Sequence, residues 1–167
     1  MLKFINFSIK SIIIFLIATV LFLFSTLWYF SIGLPDYKKL SNYQPPISSR
    51  VYSEDGKLIA EYALEKRLFV PFDSIPETVI NSFLSAEDKN FFNHPGIDAK
   101  GILRAVINNI KNLSQNKRLE GASTITQQVA KNFLLNNEVS IKRKIKEAIL
   151  AFRIERAYSK ERILELY

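Results

Sequence analysis

With 167 residues, 48% hydrophobic content and no cysteine, the chain can bury one modest core, and it fits an oxidising exterior without demanding one. Its charge is uneven: residues 34–98 hold 7 basic and 10 acidic side chains, residues 99–167 hold 14 and 6. A basic half beside a bilayer favours anionic head groups or a phosphorylated lipid-borne substrate, with a solvated basic face as the plain alternative. Nucleic acid is a poor option as a partner, because a membrane anchor leaves the chain little reason to meet any.

The anchor comes first. Residues 12–32 are 21 consecutive uncharged positions, and a hydrocarbon core about 30 Å thick takes about 20 apolar residues in a helix. We place a cytoplasmic tail at 1–10, a transmembrane helix at 11–33, a linker at 34–49 and one further domain at 50–167. Trp28 and Tyr29 suit an interfacial aromatic belt. A signal peptide would have an apolar run of only about 7–15 residues, shorter than the 21 uncharged positions here. Basic residues flank both ends, Lys3 and Lys10 before the span, Lys38, Lys39 and Arg50 after it, so their count leaves orientation open.

Pro35, Pro45 and Pro46 give the linker an extended character. Arg50 to Ser53 and Lys57 to Tyr62 then flank Glu54-Asp55-Gly56, a β-hairpin with glycine at its turn. From Ile75 the periodicity is helical. Pro76 suits a first helical position behind Asp73 or Ser74 as cap, and Val79, Ile80, Phe83 and Leu84 form an apolar face. Glu87 falls four residues after Phe83 on that face, where desolvation would raise its pKa and make it a better base. The alternative is a helix-end glutamate pointing at water.

Asp98 caps the next predicted helix, whose stripe of Ile102, Val106, Ile110 and Leu113 reads as core. The polar, basic stretch 113–121 reads as a mobile loop beside a site. Gly121 leads into Ser123 and Thr124, either of which can cap a helix, and Gln127 completes a capping box with Thr124. Free amides at such a helix start can hold phosphate, with Lys131 about two turns on, although an ordinary capped helix explains the same residues. Ser140 caps a long helix with Ile141, Ile145, Ala148, Ile149 and Phe152 as its expected buried face. Arg143 and Glu147 stand four apart on it, a pairing that keeps the glutamate ionised or is simply a surface ion pair.

Four segments in order resemble the signatures of the peptidoglycan glycosyltransferases of family 51. They are Glu87-Asp88-x-x-Phe91-x-x-His94-x-Gly96, then Gly121 to Gln128 continuing to Lys131-Asn132, then Arg143-Lys144-x-x-Glu147, and Lys160-x-x-Ile163-Leu164-Glu165-x-Tyr167. The hairpin and the run Phe69 to Pro76 look like the N-terminal part of a bifunctional class A penicillin-binding protein. That family's fourth motif normally continues past Tyr167, which reads as a chain ending inside the domain. No transpeptidase activity is assigned to this chain.

The resemblance implies a mainly α, lysozyme-like glycosyltransferase domain with a small β-hairpin, preceded by one transmembrane helix. It implies polymerisation of lipid II into glycan strands with release of undecaprenyl pyrophosphate, by a single-pass protein whose domain lies outside the cytoplasmic membrane. Glu87 is then the general base and Glu147 the second catalytic carboxylate, acting at the leaving group directly or through a divalent cation such as Mg2+. Ser123, Thr124, Lys131 and Arg143 would hold the pyrophosphate, with Asp88, Gln128 and Asn132 orienting. Phe91 and His94 would shape the loop. Implied partners are lipid II, the growing glycan strand, the membrane and other cell-wall synthesis proteins. Alternatives are a glycan-cleaving lysozyme-like enzyme, and an inactive membrane-anchored fragment that binds lipid II or serves assembly.

Overall fold

The computed structural model describes residues 2–41, 43, 49–62 and 70–167. The expected linker residues Pro45 and Pro46, and Phe69, lie outside that set. Helix α1, Leu2–Ser31, contains a stretch, Lys10–Ser31, long and apolar enough to cross a membrane, with mean hydropathy 2.4. Two of its hydroxyls bond within the helix, as hydrocarbon requires: Thr19 and Thr26 donate to the carbonyls of Phe15 and Phe22 at 2.8 Å. Beyond it, Asp36 accepts from the Lys38 amide and starts a short 3-10 turn, Tyr37–Leu40. That turn buries Leu40 in the main core, so part of the expected linker is a packed element.

Strands β1, Ser49–Tyr52, and β2, Leu58–Tyr62, pair antiparallel as the turn residues predict. Gly56 takes φ +77°, the left-handed conformation the turn needs. Arg50 and Glu61 face each other across the pair at 2.9 Å. The hairpin is largely exposed and stands apart from the core.

Helix α2 spans Glu77–Glu87, with Pro76 in the cap position; Asp73 and Ser74 belong to a separate 3-10 turn, Phe72–Ser74, and do not cap it. Helix α3, Ala99–Ser114, departs most from expectation. Ile102, Val106, Ile110 and Leu113 are 39–73% exposed, and its inward side is Gly101 and Ala105. Heptad spacing defines an apolar face but not what covers it. Asp98 takes the N-cap position, but its carboxylate turns to Asn90 Nδ2 at 3.0 Å. That bond, first among the causes, lowers its pKa.

Helices α4, Ile125–Leu134, α5, Ile141–Ala157, and α6, Lys160–Leu166, build the core with α2. Phe91, Ile125, Val129, Leu150, Ile154 and Ile163 are fully enclosed. Ser140 caps α5 as expected, accepting from the Arg143 amide at 3.2 Å. The helix is rotated from the predicted face: Glu147, Leu150, Ala151 and Ile154 are buried, while Ile141 and Phe152 are exposed. This rotation carries Glu147 inward.

Candidate active site

The site forms where α2 ends against the start of α4. At Asp88 the backbone leaves the helix with φ −157°, and its buried carboxylate accepts from His94 Nε2 at 2.9 and 3.0 Å and from the Ile125 amide at 3.1 Å. The Gly96 amide donates to His94 Nδ1 at 3.1 Å, so that nitrogen is bare and the proton sits on Nε2, pointed at Asp88. Thr124 closes the ring, its hydroxyl donating to the Gly96 carbonyl at 2.7 Å. Asp88, His94, Gly96 and Thr124 therefore lock the end of α2 and the loop after it to the start of α4.

Gly96 has two reasons to be glycine. Its φ is +92°, and a Cβ there would lie 2.8 Å from the Ala151 carbonyl oxygen. Gly96→Ala is expected to cost about 2–5 kcal/mol from backbone strain plus overpacking. It should lower the thermal midpoint in detergent, while Gly121→Ala, where a Cβ meets open space, should not. Equal midpoints for the two variants would contradict the packing described.

This lock presents Glu87. Gln128 Nε2, one turn into α4, donates to Glu87 Oε2 at 2.8 Å. The carboxylate is exposed at a cleft of about 400 Å3, whose lining includes Lys89, Asn90, Arg104, Glu120 and Ser123. The desolvated apolar setting expected for Glu87 is therefore not what the fold supplies. Tyr167 lies near enough to feel it: burial first, then the Glu87 charge, raises the tyrosine pKa. The loop expected to be mobile is strapped to α3, with Asn109 exchanging two hydrogen bonds with the Glu120 backbone at 2.7 and 3.0 Å.

Ser123 joins this cleft to a cluster of cations. Lys144 Nζ donates to Ser123 Oγ at 2.7 Å and to Glu147 Oε2 at 2.9 Å, and Arg143 pairs with Glu147 Oε1. Burial, then the charges of Arg143 and Lys131, lowers the Lys144 pKa. Two cations thus hold one carboxylate that is 2% exposed, with Lys131 close enough for its charge to act on Lys144. Each Glu147 oxygen already faces a cation, Arg143 on Oε1 and Lys144 on Oε2, a setting that repels a divalent cation, and no cluster of three or more His, Cys, Asp or Glu side chains forms a metal site among the described residues. The residues present do not fit the expected Mg2+, and no chemical step is assigned to it.

Thr124 and Gln127 make the predicted capping box, with the Gln127 amide on Thr124 Oγ1 at 3.2 Å. With the Ile125 amide on Asp88 as well, the start of α4 already holds the protein's own anion. The polar groups with positive charge behind them at the cleft are instead the Ser123 hydroxyl and the Lys144 ammonium it accepts from. Asn132 is exposed on α4, with no hydrogen bond to the other candidates among the described residues. Phe91 and His94 are buried and shape the loop. Lys144 stands in the third signature but received no site role, because it sits in the basic run Lys142 to Lys146; its i, i+3 spacing to Glu147 was the available signal.

Comparison with known proteins agrees with this geometry. Residues 55–167 match the family model described as Transglycosylase. The chain is 60% identical over 141 residues to "Penicillin-binding protein 1A" of Rickettsia felis, covering 84% of this chain and 18% of that protein. It is 44% identical over 162 residues to the protein of that name from Aquifex aeolicus, 95% of this chain and 22% of that one. For the Pseudomonas aeruginosa protein of that name the figures are 48% over 153 residues, 91% and 18%. The chain spans about a fifth of the length of these relatives. With the family model matching residues 55–167, most of the chain, the chain belongs to the transglycosylase family.

Proposed function

We propose that this chain carries a peptidoglycan glycosyltransferase site that polymerises lipid II at the outer face of the cytoplasmic membrane, anchored by α1 as a single span. The supporting observation is Ser123, which lines the cleft with Glu87 and holds Lys144 of the cation cluster. One cleft then offers a carboxylate for proton removal and fixed positive charge for a departing diphosphate.

In this reading the 4-hydroxyl of the acceptor sugar attacks the anomeric carbon of the growing strand and inverts it. Glu87 takes the hydroxyl proton, while the bond to undecaprenyl pyrophosphate breaks with both electrons leaving on the phosphate oxygen. Lys131, Arg143 and Lys144 meet the charge that develops there, and Ser123 orients it. Gln128 fixes the Glu87 carboxylate, and the Asp88–His94 ring fixes the helix end that carries it. Tethering to the bilayer raises the effective concentration of a lipid-borne substrate. The growing strand and other cell-wall synthesis proteins are the proposed partners.

The deciding assay supplies lipid II in liposomes containing this chain. Glycan polymer with release of undecaprenyl pyrophosphate is the expected result. Cleavage of finished glycan without polymer would overturn the reading in favour of a lytic enzyme.

A further inference from the structure

The C-terminal half of α5 meets the end of the membrane helix. Phe24, Leu27 and Trp28 of α1 face Ile149 and Phe152 of α5 across an apolar groove of about 420 Å3. Arg153 stands in its lining, donating to the Ser31 hydroxyl. It also lines an adjoining polar hollow of about 430 Å3 with Arg156 and Tyr37. The Arg156 guanidinium lies 5.7 Å from the Phe152 ring centroid. Neither arginine has a carboxylate partner among the described residues: Glu155 is held by Lys160 and Thr126, and Asp36 by the Lys38 amide.

This place has no part in the reaction described above, since Arg153 is about 9 Å along the helix axis from Glu147. It has a fixed relation to the bilayer. Its α1 wall belongs to the stretch able to cross a membrane, and Trp28 suits the interface, so the groove opens toward lipid chains and the arginines toward head groups. An apolar channel sharing Arg153 with a cationic hollow is complementary to an amphiphile with an anionic head, not to free phosphate. Guanidinium groups bind phosphate oxygens in a bidentate fashion. Cationic amines would meet two uncompensated positive charges.

We propose that the groove between α1 and α5 holds one anionic phospholipid of the surrounding bilayer, an acyl chain against Phe24, Leu27 and Phe152 and its phosphate on Arg153 and Arg156. Such a lipid would set the angle of the domain over the membrane.

The test reconstitutes the chain in nanodiscs of mixed phosphatidylglycerol and phosphatidylcholine, then counts retained lipids by native mass spectrometry after transfer to detergent. The wild type should retain phosphatidylglycerol preferentially, by about fivefold per arginine. Arg156→Gln, which leaves the Ser31 contact in place, should lose about fivefold of that preference, and Arg153→Gln with Arg156→Gln all of it. Glu87→Gln should keep it, which separates this site from the proposed chemistry. Equal retention of the two lipids, no change in the arginine variants, or displacement of phosphatidylglycerol by inorganic phosphate would each overturn the proposal.

Discussion

Glu87→Gln is expected to lower glycan polymerisation by about 10²–10⁴-fold, the range for removing a general acid or base, while leaving the thermal midpoint unchanged. The glutamine keeps an acceptor oxygen for Gln128 Nε2, now 2.8 Å from Glu87 Oε2, and the position is exposed, so the substitution removes basicity and little else. Gln128→Ala is the informative companion. It leaves the base in place but frees it to rotate, and a net hydrogen bond of about 1 kcal/mol predicts a loss of roughly five- to tenfold. Initial rates of polymer formation from lipid II check both. A Glu87→Gln enzyme within a few fold of wild type, or a Gln128→Ala loss as large as that of Glu87→Gln, would remove Glu87 from the role of base.

What the sequence made legible follows the range of the forces involved. The caps by Thr124 and Ser140 and the turn at Gly56 are local, set by residues within three or four positions, and each is found in the structure. The Asp88 contact with the Ile125 amide joins residues 37 apart, so nothing in the local pattern tells that this carboxylate takes the anion site at the start of α4. Apolar periodicity was a weaker guide than capping. It named the stripe of Ile102, Val106, Ile110 and Leu113 correctly as one face, yet that face is exposed; on α5 it selected the neighbouring face to the buried one. Periodicity reports which residues lie together on a helix, whereas burial depends on which neighbour arrives.

Glu147 presents the sharper question, whether it reacts or positions. Its carboxylate bonds Arg143 and Lys144 and is nearly sealed from solvent, so the structure favours a positioning residue that keeps two cations together against their mutual repulsion. The Lys144 pKa is already lowered by burial and by Arg143 and Lys131. Removing the Glu147 charge takes away the nearby anion that favours protonated lysine, so the pKa must fall further. In the proposed reaction protonated Lys144 is the form that meets the departing diphosphate; activity should therefore fall as pH rises through the Lys144 pKa, below the 10.5 of an ordinary lysine. Glu147→Gln is expected to move that alkaline limb to lower pH and to lower turnover at neutral pH by about 10²–10³-fold, the scale of losing one fixed group that stabilises transition-state charge. Lys144→Arg should instead carry the limb to higher pH, because guanidinium keeps its proton. A Glu147→Gln profile with lowered rate but an unmoved limb would mean that the carboxylate acts on the substrate itself, and the role assigned here to Lys144 would pass to Arg143 and Lys131.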